Sequence, residues 1–289
     1  MVHGGIHVTG NKTLEIQSPR VFREFINRGW CVITMNYLLG PHALVSDMLD
    51  DLVDAYAFLH EHLAHKFPID INNIHLFGQS SAGALVLLCG RLFQPRPKSV
   101  VAMYPLTDYM TNYIYVKPLK SDSLFLNLHR RLSKQPVQES PVLESLINNP
   151  RILTNPEEFS LMPRLRYSVY FLVNTSYFWA YVTHDVSMDE STIRIRLAAM
   201  SPIANVDDRF PPTYCAHGTG DTGVNYMDTV AFVRVLRLHN IPCVLYLAPE
   251  LPHSFDVDEV ADNVWYPHVL PAFDFLQKYI DKNAETDSK

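Results

Sequence analysis

The sequence lacks several features that mark whole classes of protein. It has no run of basic residues, and its 24 Lys and Arg stand against 30 Asp and Glu, which gives a formal net charge of -6. Surfaces that bind nucleic acid carry clustered positive charge, so we predict no nucleic-acid partner. The longest apolar stretch, residues 167–182, is interrupted by polar residues at 174–176. It is too short to span a bilayer comfortably, so we predict no stable membrane insertion.

Cysteine is scarce, and no C-x-x-C pair is present. Each of the four cysteines lies in an apolar run typical of a strand or helix, which predicts reduced thiols in the core. Because no secretory signal opens the sequence, we expect a reducing, cytoplasmic compartment. No phosphate-binding loop, dinucleotide fingerprint or zinc-ligand spacing occurs either, so we predict neither a cofactor nor a metal. The cysteines are Cys31, Cys89, Cys215 and Cys243.

What the sequence does contain is an alternation of short apolar runs and amphipathic segments. Hydrophobic residues make up 47% of the 289 residues, enough for a sizeable core. Continuous apolar strands separated by helices predict an α/β fold, with a mostly parallel sheet and helices on both faces. The predicted strands are 31–35, 74–77, 100–104, 213–216 and 243–247. The predicted helices are 18–28, 44–65, 81–93, 226–239 and 263–281.

The alternation stops between Asp108 and Ala199. This stretch is rich in Leu, Tyr and Phe, contains six prolines and has no strand rhythm. We interpret residues 109–199, approximately, as a helical cap inserted into a single domain that spans 1–289. Such a cap would lie over the carboxyl edge of the sheet, where substrates of these folds enter. The alternative is an extra helical subdomain that contacts no ligand.

Ser80 stands between a predicted strand and a predicted helix, in the sequence Gly-Gln-Ser-Ser-Ala-Gly at 78–83. A strand, a sharp turn and a helix can present a nucleophilic serine when small residues flank it. Gly78 and Ala82 meet that requirement, although the usual motif has glycine in place of Ala82. The alternative is that so short a motif marks only the end of a strand.

A nucleophilic serine needs a histidine to take its proton and a carboxylate to orient that histidine. Asp221 ends the Gly-containing turn after the predicted strand 213–216, and His253 lies on the loop after the predicted strand 243–247. The chain order is therefore serine, acid, histidine, as the strand-turn-helix motif requires.

Other titratable residues compete for these roles. His217 precedes the acid on its strand, so we expect it to pack in the core or to fix the turn. Asp228 falls inside a predicted helix. Asp256 and Asp258 follow the histidine, and we expect them to be solvated loop carboxylates.

Acyl transfer also needs hydrogen-bond donors for the developing oxyanion, and these are usually backbone amides held in place beforehand. His3-Gly4-Gly5 supplies such a segment, because glycines allow the backbone to approach a substrate closely. The amide of Ser81 would complete this oxyanion hole. The alternative is a flexible start of the chain.

Together these segments resemble the α/β-hydrolases and, among them, the hormone-sensitive-lipase-like esterases. The resemblance implies Ser80 as nucleophile, Asp221 as acid and His253 as base. It also implies Gly4, Gly5 and Ser81 as oxyanion donors. The matching segments, in the order of that family, are 3–5, 36–41, 78–83, 201–203, 217–221 and 252–255.

The chain also departs from the family pattern. Ile6 stands in place of a third glycine, and only Met1 and Val2 precede His3, whereas the family has strands before this segment. We therefore expect the early strands of the sheet to be missing. An interior strand leaves its neighbours without partners when it is lost. We accordingly expect residues 3–5 to be poorly anchored and their oxyanion geometry to be impaired.

The resemblance implies a serine hydrolase that cleaves small-molecule carboxylic esters of small to medium apolar groups through an acyl-enzyme. An amidase or formamidase with the same three residues is one alternative. A ligand-binding or truncated, inactive relative is the other. The sequence carries no signal for an oligomeric state.

Overall fold

The structure is a computed structural model, and it describes residues 1–13, 19–40, 43–111, 182–183, 187–257 and 260–287. Strands and helices alternate through most of this part of the chain. The strands are β1 (His75–Gln79), β2 (Ser99–Met103), β3 (Thr213–Gly218) and β4 (Cys243–Ala248). The α-helices are α1 (Pro19–Asn27), α2 (Val45–Phe58), α3 (Ser81–Leu92), α4 (Glu190–Met200), α5 (Tyr226–Leu238), α6 (Asp262–Val264) and α7 (Leu270–Asp287).

The four strands form one parallel sheet in the order β1-β2-β3-β4. Parallel neighbours need a crossover on one face of the sheet, and the helices between the strands supply these crossovers. All carboxyl ends therefore meet at one edge, where Gln79, Met103, Gly218 and Ala248 are the last residues. The predicted α/β class is confirmed, because the described strands are parallel and helices cover the sheet.

Two apolar cores lie on opposite faces of the sheet. Successive side chains of a strand point to opposite faces, so Leu76 joins one core and Phe77 the other. Helices α2, α3 and α5 contribute to the first core, and α1 and α7 to the second. Helix α3 follows Ser80 directly, and its residues from Ser81 to Gly90 are all buried. Packing in the core therefore holds this helix in place.

The predicted strand 31–35 is wrong. No strand is assigned there, and only Met35 makes an isolated parallel bridge, to Val2. A groove of about 500 Å³ lies between this segment and β1. Backbone groups on either side of such a gap cannot reach each other, so no ladder forms. Cys31 is consequently exposed, which corrects its predicted place in the core, whereas Cys89 and Cys215 are buried and all four cysteines are free thiols.

The expectation that residues 3–5 are poorly anchored is also wrong. Val2 bridges both Met35 and Gly78, its amide donates to Phe77 O at 3.0 Å, and its side chain is buried. The Tyr37 hydroxyl donates to His3 O at 2.8 Å. Val2, bridged on both sides, and the Tyr37 hydroxyl therefore hold this segment beside β1, although no strand is assigned ahead of His3 in the described residues.

Most of the predicted cap, 109–199, lies outside the described residues. Helix α4 is described, and it begins at an Asp189 side chain that accepts from Thr192 N, as a helix cap does. A single domain with a cap therefore stays a prediction. In the part of the chain that is described, no helix has the length and apolar character needed to cross a membrane.

We predict that Leu85→Ala destabilises the fold strongly. Leu85 is fully buried in α3, so its truncation should lower the free energy of unfolding by about 3 kcal/mol through lost burial and an unfilled cavity. Leu238→Ala is the matched control, because Leu238 is 74% exposed and its truncation should cost no more than about 0.5 kcal/mol. Urea unfolding measures both, and equal costs would contradict the described core.

Candidate functional site

Ser80 occupies the turn between β1 and α3, where its backbone has φ 56° and ψ -125°. A non-glycine residue with positive φ is strained, at a cost of about 1–3 kcal/mol, and needs support from its surroundings. Two backbone bonds supply that support: Ser80 N donates to Met103 O, and Gly83 N donates to Ser80 O, both at 2.9 Å. Ala82 is fully buried beneath the turn, so an alanine side chain fits at the position where the usual motif has glycine.

Asp221 lies on the loop after β3, with a side chain that is 0% exposed. One carboxylate oxygen accepts from the amides of Gly223 and Val224 at 2.7 and 2.8 Å. The other faces two histidine rings, those of His217 and His253. Burial favours a higher pKa for Asp221, but the charge of His253 and the hydrogen bonds from both histidines outweigh it and lower the pKa. Asp221 is therefore an ionised acceptor.

His253 links this carboxylate to the serine. Its Nδ1 lies 2.6 Å from Asp221 Oδ2, and its Nε2 lies 2.9 Å from Ser80 Oγ. Because a carboxylate only accepts, Nδ1 carries the ring proton and Nε2 is left to accept from the Ser80 hydroxyl. The structure thus brings together, in hydrogen-bond contact, the three residues that the sequence suggested for catalysis.

His217 contacts the same carboxylate from the core side. Its Nε2 donates to Asp221 Oδ2 at 3.0 Å, and its Nδ1 accepts from Thr229 Oγ1 at 2.8 Å. The side chain is fully buried, and burial lowers the pKa of His217, so the ring is neutral. His217 fixes the turn that carries the acid, which is the role that the sequence suggested for it.

Backbone contacts hold the loop of Asp221 against the loop of His253. Thr219 N donates to Ala248 O at 2.9 Å, and Gly220 N donates to Leu251 O at 3.1 Å. In the other direction, Glu250 N donates to Thr219 Oγ1 at 2.8 Å. The approach needs glycine, because a Cβ on Gly218 would lie 2.1 Å from Leu251 O. The acid and the histidine are therefore carried by two loops that are bonded to each other.

The segment predicted as the oxyanion hole lies beside Ser80. A Cβ on Gly4 would be 2.7 Å from Gln79 O and 3.5 Å from Ser80 Cβ, so only glycine allows this approach. Gly5 follows with φ 121° and turns the chain back, and the Val8 and Thr9 amides donate to its carbonyl. Ser81 begins α3, so its amide has no acceptor within the helix.

Buried aromatic and imidazole rings support this segment. His3 stacks on Tyr37 with ring centroids 4.4 Å apart, and His7 Nε2 lies 2.8 Å from the Tyr109 hydroxyl. The amide of His7 also donates to Ser81 Oγ at 3.2 Å, which ties the segment to α3. Burial lowers the pKa of His3 to about 4 and that of His7 to about 3, so both rings are neutral near pH 7.

Asp256 corrects the sequence interpretation. Its side chain was expected in solvent, but the residue is 0% exposed. The carboxylate accepts from Gln79 Nε2 at 2.7 Å and from the Tyr104 hydroxyl. Gln79 and Tyr104 were not predicted at the site either, although Tyr104 ends the predicted strand 100–104 and Gln79 follows the predicted strand 74–77 by two residues. Asp258 lies outside the described residues.

No group of His, Cys, Asp or Glu side chains suited to a metal ion occurs among the residues that the structure describes. The histidines at the site already hold carboxylate or hydroxyl partners. Because His253 contacts both Ser80 Oγ and the Asp221 carboxylate, this arrangement can move a proton from Ser80 to His253 and stabilise the positive charge that results on the imidazole ring.

The chain is similar to one protein family over its first 114 residues and to one synthase over most of its length. The BD-FAE family model matches residues 1–114. Methylphloroacetophenone synthase from Cladonia uncialis is 22% identical over 306 residues, which cover 96% of this chain. The chain spans only 12% of the length of that synthase.

Solved structures similar to this one include hydrolases from bacteria and a fungus. The acetyl ester-xyloside bifunctional hydrolase of Caldicellulosiruptor lactoaceticus has a TM-score of 0.57 at 17% identity and covers 98% of this chain and 82% of its own. Carboxyl esterase 2 of Tuber melanosporum has a TM-score of 0.59 at 17% identity, over 96% and 75%. Esterase B of Lactobacillus rhamnosis has a TM-score of 0.60 at 14% identity, over 99% and 77%.

We predict that in His3→Gln the free energy of unfolding depends less on pH between pH 4 and 6.5 than it does in the wild-type protein. Below pH 6.5 the unfolded chain takes up a proton on His3, whereas the folded chain, with a pKa of about 4, does not. The contribution of neutral His3 to the free energy of unfolding is thus fully present above pH 6.5 and is lost as the pH falls towards 4. In that window the slope of unfolding free energy against pH should be smaller in His3→Gln by up to about 1.4 kcal/mol per pH unit. Equal slopes in urea unfolding would contradict a buried, neutral His3.

Proposed function

Because this chain has the α/β-hydrolase fold, we propose that it is a serine hydrolase that cleaves carboxylic esters, with Ser80 as nucleophile, His253 as base and Asp221 as acid. The observation that carries the proposal is the continuous hydrogen-bonded chain from Ser80 Oγ to the Asp221 carboxylate, at 2.9 and 2.6 Å. A serine hydroxyl becomes an effective nucleophile at neutral pH when such a base accepts its proton.

In the first half of the reaction, His253 Nε2 takes the proton of Ser80 as Oγ attacks the ester carbonyl carbon. The ring is then positively charged, and the ionised Asp221 opposite Nδ1 stabilises that charge. The imidazolium next gives its proton to the departing alcohol oxygen. The products of this half are a free alcohol and an acyl-enzyme on Ser80.

The tetrahedral intermediate carries a negative oxygen, which needs fixed donors. We propose the amides of Gly4, Gly5 and Ser81 for this role. The close approach of Gly4 to Ser80 supports the assignment, as does the position of Ser81 in the first turn of α3. The positive end of that helix dipole also favours an anion beside Ser80.

In the second half, His253 takes a proton from a water molecule that attacks the acyl carbonyl carbon. The second tetrahedral intermediate collapses when the imidazolium returns the proton to Ser80 Oγ. The acid product leaves, and the three residues regain their starting protonation.

We propose small to medium apolar esters as the substrate class. The similar structures include proteins named as esterases, which supports ester over amide cleavage. Side chains of residues 109–199 are expected to select among such esters, because substrates of these folds enter over the carboxyl edge. The same three residues could also cleave an amide, so a formamide substrate belongs in the assay.

We predict that purified protein hydrolyses short-chain nitrophenyl esters and reacts with a fluorophosphonate probe, and that Ser80→Ala lowers kcat by about four to six orders of magnitude. Ser46→Ala is the control, because Ser46 is an exposed serine in α2 and its replacement should leave kcat unchanged. Wild-type protein that neither turns over an ester nor reacts with the probe would favour the non-catalytic alternative.

We predict that Gly4→Ala lowers kcat by about 10²-fold or more, the effect of losing an oxyanion donor. The added methyl group would meet Gln79 O at 2.7 Å and push the segment away from Ser80. Gly29→Ala is the control, because it adds the same methyl group to a glycine that has no atom within 4 Å of its Cβ position; the positive φ of Gly29 makes that substitution cost stability, so both variants are compared as folded protein. A Gly4→Ala enzyme with wild-type kcat would remove residues 3–5 from the proposed oxyanion hole.

A further inference from the structure

A second buried carboxylate lies close to the proposed nucleophile. Asp256 stands three residues after His253, on the same loop, and is fully buried. Burial raises the pKa of its carboxyl group, while hydrogen bonds from Tyr104 and Gln79 oppose the rise. Burying a carboxyl group is costly unless donors satisfy it, so these hydrogen bonds are structural requirements of the loop.

The two donors come from both sides of Ser80. Gln79 is the residue before it on β1, and its Nε2 donates to Asp256 Oδ2 at 2.7 Å. Tyr104 follows Met103, whose carbonyl accepts from the Ser80 amide. The Tyr104 hydroxyl donates to Asp256 Oδ1. Asp256 thus ties the histidine loop to the ends of the two strands that hold the nucleophile.

Tyr104 also touches the histidine itself. Its ring lies edge-on to the His253 imidazole, with centroids 4.6 Å apart and an interplanar angle of 64°. The tyrosine backbone is held in turn, because its amide donates to Ala216 O at 2.6 Å. With the hydroxyl fixed by Asp256, the ring has little freedom, and it limits how far the imidazole can tilt away from Ser80.

We propose that Asp256 is a positioning residue: through Tyr104 and Gln79, its carboxylate holds His253 at hydrogen-bond distance from Ser80. This inference rests on the proposed serine hydrolase function. Asp221 orients the imidazole through Nδ1, whereas Asp256 fixes the surface against which the imidazole packs. A proton-transfer pair is sensitive to small displacements, so loss of this support should affect turnover more than substrate binding.

The test compares kcat and KM of ester hydrolysis in Asp256→Ala, Tyr104→Phe and Asp256→Asn. The first two should lower kcat by about 10- to 100-fold and change KM little. Asp256→Asn should lose less, because its amide oxygen can accept from Tyr104 and the Gln79 amide can turn to offer its oxygen. Tyr56→Phe is the matched control: it also removes one tyrosine hydrogen bond, to Pro95 O at 2.8 Å, but far from Ser80, so kcat should be unchanged.

A second readout is the NMR signal of the His253 Nδ1 proton in its bond to Asp221. It should shift or broaden in Asp256→Ala and Tyr104→Phe, and stay unchanged in Tyr56→Phe. Wild-type kcat and an unshifted signal in folded Tyr104→Phe and Asp256→Asn would overturn the proposal, even if Asp256→Ala does not fold. If wild-type protein cleaves no ester, the proposed function fails, and the NMR signal still decides whether Asp256 positions His253.

Discussion

The site depends on one buried charge. Asp221 is removed from water completely, and an ionised carboxylate in that position is tolerated only when donors surround it. Two backbone amides and two imidazole rings meet this need. The requirement shapes everything nearby: the loop after β3 must curl to present its amides, His217 must stay neutral and point at the acid, and His253 must hold its proton on Nδ1. The orientation of the histidine toward Ser80 follows from satisfying that carboxylate.

Ser80, the proposed nucleophile, is held by a different set of forces. Ser80 is strained, and its support comes from the carbonyl of β2 and from the fully buried helix that begins at Ser81. A parallel sheet brings these groups together, because the carboxyl end of every strand lies at the same edge. Ser80 follows β1, its backbone acceptor ends β2, and Asp221 and His253 lie on the loops after β3 and β4. Neighbouring elements in space thus supply the components in chain order.

Much of this could be predicted from the sequence, because the strands around Ser80, Asp221 and His253 are apolar and end in small or polar residues. The segment 31–35 has the same composition, but a strand exists only where a neighbour supplies hydrogen bonds, and composition does not reveal neighbours. Asp256 shows the same limit for side chains. A carboxylate on the loop after His253 is predicted to be solvated, and the burial of Asp256 depends on Gln79 and Tyr104, which are distant in sequence. Residue identity gives the chemistry of a group, whereas its partners are set by the tertiary fold.

The bonds between the loops of Asp221 and His253 have a consequence for how the site tolerates change. Besides the contact of His253 with Asp221, three hydrogen bonds join those two loops, and the Asp256 carboxylate joins the second loop to Gln79 and Tyr104 beside Ser80. A substitution in the core beneath β3 and β4 that shifts these loops would therefore move Asp221 and His253 together and leave their contact intact. The hydrogen bonds of Asp256 would bear the displacement relative to Ser80. A chain that accumulates such substitutions would lose the contact between Ser80 and His253 before the contact between His253 and Asp221, and the bonds of Asp256 set how many substitutions that takes.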